Sequence, residues 1–303
     1  MAKDKNHTEQ KYFKPGISAA YFFLAPAMIS IFVFFFIPVI AAFIISFTDF
    51  DIYSLGNYSY LRFVGLKNYS DLLGNELFWI SLKNTFYFVI AASPLSIAVS
   101  LGAALILNSK LVKLKGLFRL SYFIPVVTTL VAVAIVWRFI YHPRFGMLNY
   151  LLGFAGINPI DWLGDPFWAM PSIIIMSIWK NFGYNMIIFI AGLQNIPEHL
   201  YEAAILEGAN GWQQFKKITL PMLAPTTIFI SIITMIGNFQ LFAEPYVMTQ
   251  GGPLNKTLSV VQYMYQEGFR WWNMGYSASI AFVLFIIIFA GTLIQLKVQK
   301  QTA

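Results

Sequence analysis

Six apolar runs, each at least 21 residues long, decide what this chain can fold into; they occupy residues 21–47, 85–107, 117–141, 170–193, 223–248 and 276–296. About 20 apolar residues cross a hydrocarbon core as a helix. A strand of a membrane barrel needs about ten, alternating apolar with polar. The runs are longer than that and continuously apolar, and lipid requires every backbone group to bond within its own segment. They predict an all-α integral membrane protein with six transmembrane helices. Pro26, Pro38, Pro94 and Pro125 fall inside runs; in a bundle, neighbouring helices can satisfy the carbonyls that a proline frees. Only 11% of the residues are charged, against about 25% in a soluble domain. The chain has too little polar surface for a water-facing globule. It contains no cysteine, which excludes disulfides and zinc–thiolate sites. Its net charge of +7 is scattered, without the basic stripe of a nucleic-acid surface.

The first run has 27 residues and continues into DFDIY. A cleaved signal would carry a stretch of roughly 7–15 apolar residues and a small-residue site. The expectation is a retained first span after a tail at 1–20. Orientation follows the count of Lys and Arg. With the N-terminus inside, the cytoplasmic segments hold twelve and the outer segments seven, Lys180 lying within the fourth run. Both termini are thus expected in the cytoplasm, with a transmembrane domain at 21–296 and a second tail at 297–303. No internal repeat or separate soluble domain is evident.

That orientation places IPEHLYEAAILEGANGWQQFKKITLPMLAP, residues 196–225, on the cytoplasmic side. Pro197 suits the first turn of a helix, where its missing N–H costs nothing. Glu198 complements the partial positive charge there. Gly208 follows the helix-compatible stretch, where a left-handed residue is wanted. Asn210 can cap a second helix over 211–218. The spacing predicts helix, glycine hinge, helix, with Leu200, Ala203 and Ala204 sharing one face. Trp212 and Phe215 share another, with Lys216 and Lys217 off it. On physics alone this is either a docking knob or an interfacial helix that closes a loop.

The segment EAAILEGANGWQQFKKITLP resembles the EAA loop of binding-protein-dependent ABC importer permeases. That family's pattern is Glu-Ala-Ala, a glycine six residues after the Glu, then Ile-x-Leu-Pro. Glu202, Ala203, Ala204, Gly208, Ile218, Leu220 and Pro221 meet it; Glu207 stands where sugar-type members usually carry Asp. FVGLKNYSDLL, SLKNTFYF, FRLSYFIP and YVMTQGGPLNKT are similar, in order, to the maltose-type sugar branch. The resemblance implies the type I importer permease fold and a coupling loop at 196–221 that docks on a cytoplasmic ATPase, through Glu202, Ala203, Ala204, Gly208, Phe215, Ile218 and Pro221. It further implies a second, homologous permease in a heterodimer, two ATPase subunits and a solute-binding protein on the outer face. The cargo would be a sugar or oligosaccharide, and the site the cytoplasmic membrane of a bacterium or archaeon. ATP and magnesium would sit on the ATPase, with no cofactor on this chain.

Polar residues at membrane depth face a cavity or a partner. Lys180, Asn181 and Asn185 lie within the fourth run; Asn238, Gln240 and Glu244 interrupt the fifth, Gln240 and Glu244 as helical neighbours. Sugars want amide donors and acceptors with aromatic surface. The expected path is therefore Asn181, Tyr184, Asn185, Asn238, Phe239 and Gln240; the alternative is interhelical hydrogen bonding. Lys180 and Glu244 read as a gating or structural ion pair, Glu244 near the solvated outer end.

No G-x-x-x-x-G-K-[ST] occurs, so energy must come from a partner or an ion gradient. The rival readings are an ion-coupled secondary transporter, which requires inverted repeats, an intramembrane enzyme, for which only Glu244 and Lys180 are available, and an ABC permease for a glycerol phosphate ester. The three histidines are too scattered for a metal site.

Overall fold

The computed structural model describes residues 17–57, 61–109 and 112–302. Among these residues the architecture is helical, with one isolated β bridge between Thr48 and Phe63. The elements in chain order are α1 (Tyr21–Ile45), α2 (Lys67–Gly74), α3 (Glu76–Asn108), α4 (Lys115–Val127), α5 (Leu130–Ile140), α6 (Met147–Phe154), α7 (Ala169–Gln194), α8 (Glu198–Leu206), α9 (Gly211–Met222), α10 (Ala224–Phe239), α11 (Ala243–Met248), α12 (Val260–Tyr265) and α13 (Met274–Thr302). Most of the tail expected at 1–20 lies outside the described residues. At the other end α13 runs on to Thr302, so position 297 is not a helix boundary.

Four of the six expected spans are single helices: α1, α3, α7 and α13. The other two are broken. The third run bends by 99° between α4 and α5. Thr128 and Thr129 adopt extended backbone there, and side chains take up carbonyls released at the helix end. Thr128 Oγ1 donates to Pro125 O at 2.7 Å, and Lys180 Nζ to Val126 O at 3.4 Å. The fifth span starts beside 223 as expected, at a bend, but its expected continuity over 223–248 is corrected. A 63° bend separates α9 from α10, and α10 stops at Phe239, short of α11. Pro245 causes the second break, because it has no N–H for the carbonyl of Leu241 and its ring would clash with it. Ser259 Oγ donates to that carbonyl instead, at 2.5 Å. Broken helices persist at membrane depth only where other groups or a cavity satisfy the freed backbone.

The centre of the bundle is α3 packed along α7, with Ser100 Oγ donating to Phe182 O at 3.0 Å. At 33 residues, α3 outruns the expected 85–107. Near its start Asn84 donates to the carbonyls of Asn255 and Leu258, and Thr85 Oγ1 accepts from the Val260 amide. Gly183 of α7 sits directly on the backbone of Tyr122 in α4. α1 buries none of its apolar window; its second half packs on α13, where Phe43 meets Phe282 at 5.0 Å. A third packed cluster, centred on Phe189, Leu193, Leu223 and Ile230, carries Leu200, Tyr201 and Ile218 of the loop on its flank.

Candidate functional site: a cavity between two helix breaks, and an exposed loop

A cavity of about 530 Å³ lies where the two broken spans meet α3 and α7. Val126 and Leu130 bring the α4–α5 break to its wall, and Gln240, Leu241 and Phe242 bring the α10–α11 break. Seven residues expected at membrane depth line it together: Lys180, Asn181, Tyr184, Asn185, Asn238, Gln240 and Glu244. Phe239 does not. It is 4% exposed and packs edge-on against Phe86, with ring centroids 5.2 Å apart, in the core beside α3. The helical period that links Phe239 to its neighbours ends there. Phe242, beyond the break, supplies the aromatic wall instead.

Two of the asparagines also tie helices. Asn185 Nδ2 donates to Thr234 Oγ1 at 3.1 Å, joining α7 to α10, and Asn238 Nδ2 donates to Ser93 Oγ at 2.9 Å, joining α10 to α3. Interhelical bonding and cavity lining therefore coincide at these positions. Asn181, Tyr184 and Gln240 are exposed at the wall. The chemistry on offer is amide and hydroxyl groups with aromatic faces, a set suited to hydroxylated solutes.

The expected ion pair is not formed in this conformation. Arg62 pairs with Asp49, at 3.1 Å. Lys180 and Glu244 share the cavity wall without meeting. Glu244, expected at the solvated outer end, is buried; the break at 240–242 turns it back into the bundle. The predicted helical pairing of Gln240 with Glu244 fails for the same reason. Phe242, Thr234, Ser96 and Ser177 also line the wall; Ser177 and Thr234 lie four residues before Asn181 and Asn238, so helical spacing could have found them, whereas Phe242 lies beyond the break. Among the described residues no cluster of His, Cys, Asp and Glu can hold a metal.

The loop is built as two capped helices. Pro197 precedes the first helical residue, Glu198. α8 ends in a Schellman motif: Ala209 N donates to Ala204 O at 2.9 Å and Gly208 N to Ile205 O at 3.0 Å, with Gly208 at φ +79°. Asn210 and Gln213 then form a reciprocal capping box. Tyr201 Oη and Thr219 Oγ1, 2.9 Å apart, brace the two helices. Trp212 and Phe215 stack at 5.5 Å. The shared face expected for Leu200, Ala203 and Ala204 is split: Leu200 and Ala204 are half-buried, while Ala203 is exposed with Glu202. Ile205, Leu206 and Trp212 complete the exposed surface, Leu206 at 89% exposure. Clustered exposed apolar side chains mark a contact surface.

Residues 96–302 match the family described as binding-protein-dependent transport system inner membrane component. The chain is 39% identical over 282 residues to the arabinooligosaccharides transport system permease protein AraP of Bacillus subtilis (strain 168), covering 92% of this chain and 88% of that one. It is 36% identical over 293 residues to the lactose transport system permease protein LacF of Rhizobium radiobacter, covering 95% of each. Its fold matches a chain in the crystal structure of a bacterial alginate ABC transporter in complex with alginate pentasaccharide-bound periplasmic protein. The TM-score is 0.77 at 22% identity, over 91% of this chain and 92% of that one.

Proposed function

We propose a transport role from one premise: the chain belongs to the family of binding-protein-dependent transport system inner membrane components. Members are membrane permeases rather than enzymes. On our reading this chain forms half of a path for a sugar or oligosaccharide across the cytoplasmic membrane of a bacterium or archaeon, both termini inside. A second, homologous permease forms the other half. A solute-binding protein delivers cargo outside, and two ATPases bind ATP and magnesium inside. The names of the relatives above support the sugar.

The observation that carries the reading is the loop. It presents Glu202, Ala203, Leu206 and Trp212 outward, while Leu200, Tyr201 and Ile218 anchor it in the packed cluster below. A push on that surface is delivered to α7 and α10, and so to the cavity. ATP-driven closure of the ATPases moves the paired loops, and the breaks flanking the cavity let the spans swing. The work is a population shift, which requires the ATPases to bind one permease conformation better than the other. Asn181, Tyr184, Asn185, Asn238 and Gln240 would meet the cargo's hydroxyls.

Purification of the tagged chain from native membranes in mild detergent tests the assembly. A second permease and a Walker-motif ATPase should co-purify. A chain that comes out alone and transports in vesicles without ATP would sink the ABC reading in favour of an ion-coupled carrier. In the assembled complex, a single cysteine at Ala203, introduced into a chain that has none, should cross-link to the ATPase. An Ala203→Cys chain that reacts only with lipid-phase reagents would remove the docking role.

A further inference from the structure

We infer that an aromatic ladder leads from the outer face into the cavity and carries the sugar rings of an oligosaccharide; this rests on the sugar reading above. Four rings are in contact, three in a triangle and the fourth extending it outward. Phe242 lines the cavity wall. Its ring lies 5.2 Å from Tyr246 and 5.1 Å from Tyr265, which are 5.4 Å from each other. Tyr265 stacks on Phe269 at 5.4 Å. The outer end is open, Phe269 being 60% and Tyr246 42% exposed. Trp271 lies beyond, with the Arg270 guanidinium 5.6 Å over its ring.

The backbone is shaped to make this series. The break at 240–242 releases Phe242 from α10, and α11 sets Tyr246 four residues on, stacked within 23° of it. α12 continues into a π turn at Gln266–Arg270, capped by Trp271, and Trp272 beyond it sits at φ +62°. A bulky residue in left-handed backbone costs about 1–2 kcal/mol, and such strain persists where surrounding structure holds it for a purpose. Interfacial aromatics also form membrane belts. The difference here is continuity: ring touches ring, and the innermost ring belongs to the cavity whose other walls carry amides. Flat apolar faces beside hydroxyl-matching groups are what the two sides of a sugar ring require.

The test uses cells that make the whole importer, assayed for uptake of labelled maltose, maltotriose, arabinose and arabinotriose. Tyr246→Leu and Phe269→Leu keep the bulk and remove the aromatic face; Phe269→Tyr keeps the face. Several rungs serve a chain of sugars and one rung serves a single ring. Each leucine variant should therefore lower trisaccharide uptake relative to the shorter sugar by about fivefold, the scale of one aromatic contact. Phe269→Tyr should match the wild type. Equal loss for long and short sugars, or no loss, removes the ladder while sugar uptake by the wild type upholds the permease reading. Loss of the co-purifying permease in the leucine variants also removes it, because the rings would then be a subunit contact. A wild type that imports none of the four sugars overturns the sugar reading and the ladder together.

Discussion

A Gly183→Val protein should fail to accumulate in the membrane, or accumulate without transporting. Gly183 lies in α7, and a Cβ built on it would run into the carbonyl of Tyr122 in α4. The obstacle is backbone, so no rotamer change relieves it. Extra carbons forced into a packed contact cost about 1–3 kcal/mol when side chains can yield; here α4 itself must move. α4 ends at the break that lines the cavity, and Lys180, one turn before Gly183, and Tyr184, the next residue, line it too. Displacement would therefore reach the cavity even in a protein that folds. Gly102→Ala is the control, in α3 with nothing within 4 Å of an added Cβ, and should behave as the wild type. Membrane yield, thermal stability in detergent and uptake read the outcome. Wild-type values for Gly183→Val would mean that α4 and α7 do not approach as closely as described.

The second large effect is expected at Gly208. Its φ of +79° is left-handed, and an added Cβ would meet open space. The penalty of Gly208→Val is therefore confined to the backbone, about 1–2 kcal/mol, and the fold of the bundle should survive. The Schellman turn should not, and with it goes the fixed angle between α8, which carries the exposed Leu206, and α9, which carries the exposed Trp212. We expect uptake to fall by at least about tenfold, while the complex still assembles and hydrolyses ATP; a tenfold loss corresponds to about 1.4 kcal/mol. Asn tolerates the left-handed region, so Gly208→Asn should restore most of the uptake. Unchanged uptake in Gly208→Val would end the hinge idea, and equal failure in Gly208→Asn would point to the glycine's smallness instead.

The bundle was legible where apolar continuity and helical continuity coincide. α7 and α13 begin within two residues of the runs that predict them; the one proline in those runs, Pro171, falls in the first turn of α7, where its missing N–H costs nothing. The third and fifth spans, each broken within its run, read as single runs because hydropathy cannot see a turn made from apolar residues. Pro245 is the signal for one break, masked by the membrane's tolerance of proline. The pair Thr128–Thr129 is the signal for the other, and two β-branched residues alone do not specify a bend. The loop's framework was legible from Gly208 and Asn210, since caps are local chemistry. Its exposed face was not, because whether Leu200 or Leu206 is covered depends on Phe189, Leu193 and Leu223, which are distant in the chain. The polar cavity residues were found by their polarity; Phe239 was misplaced because it was chosen as an aromatic between Asn238 and Gln240, and aromatic chemistry alone does not say which face of α10 a ring occupies.

The length of α3 has a mechanical consequence. At about 1.5 Å per residue its 33 residues measure roughly 50 Å, while the hydrocarbon layer is about 30 Å thick. The helix is a mast that overtops the deck. The adjacent Asn84 and Thr85 are lashed to the segment from Asn255 to Val260, and the same shaft runs on past Ser100, where it is fastened to α7. A rigid spar clamped at two heights converts a small rotation at one clamp into a larger sweep at the other. Leverage of this kind would let the segment from Asn255 to Val260 register movement at the far end of α3 without any contact between them.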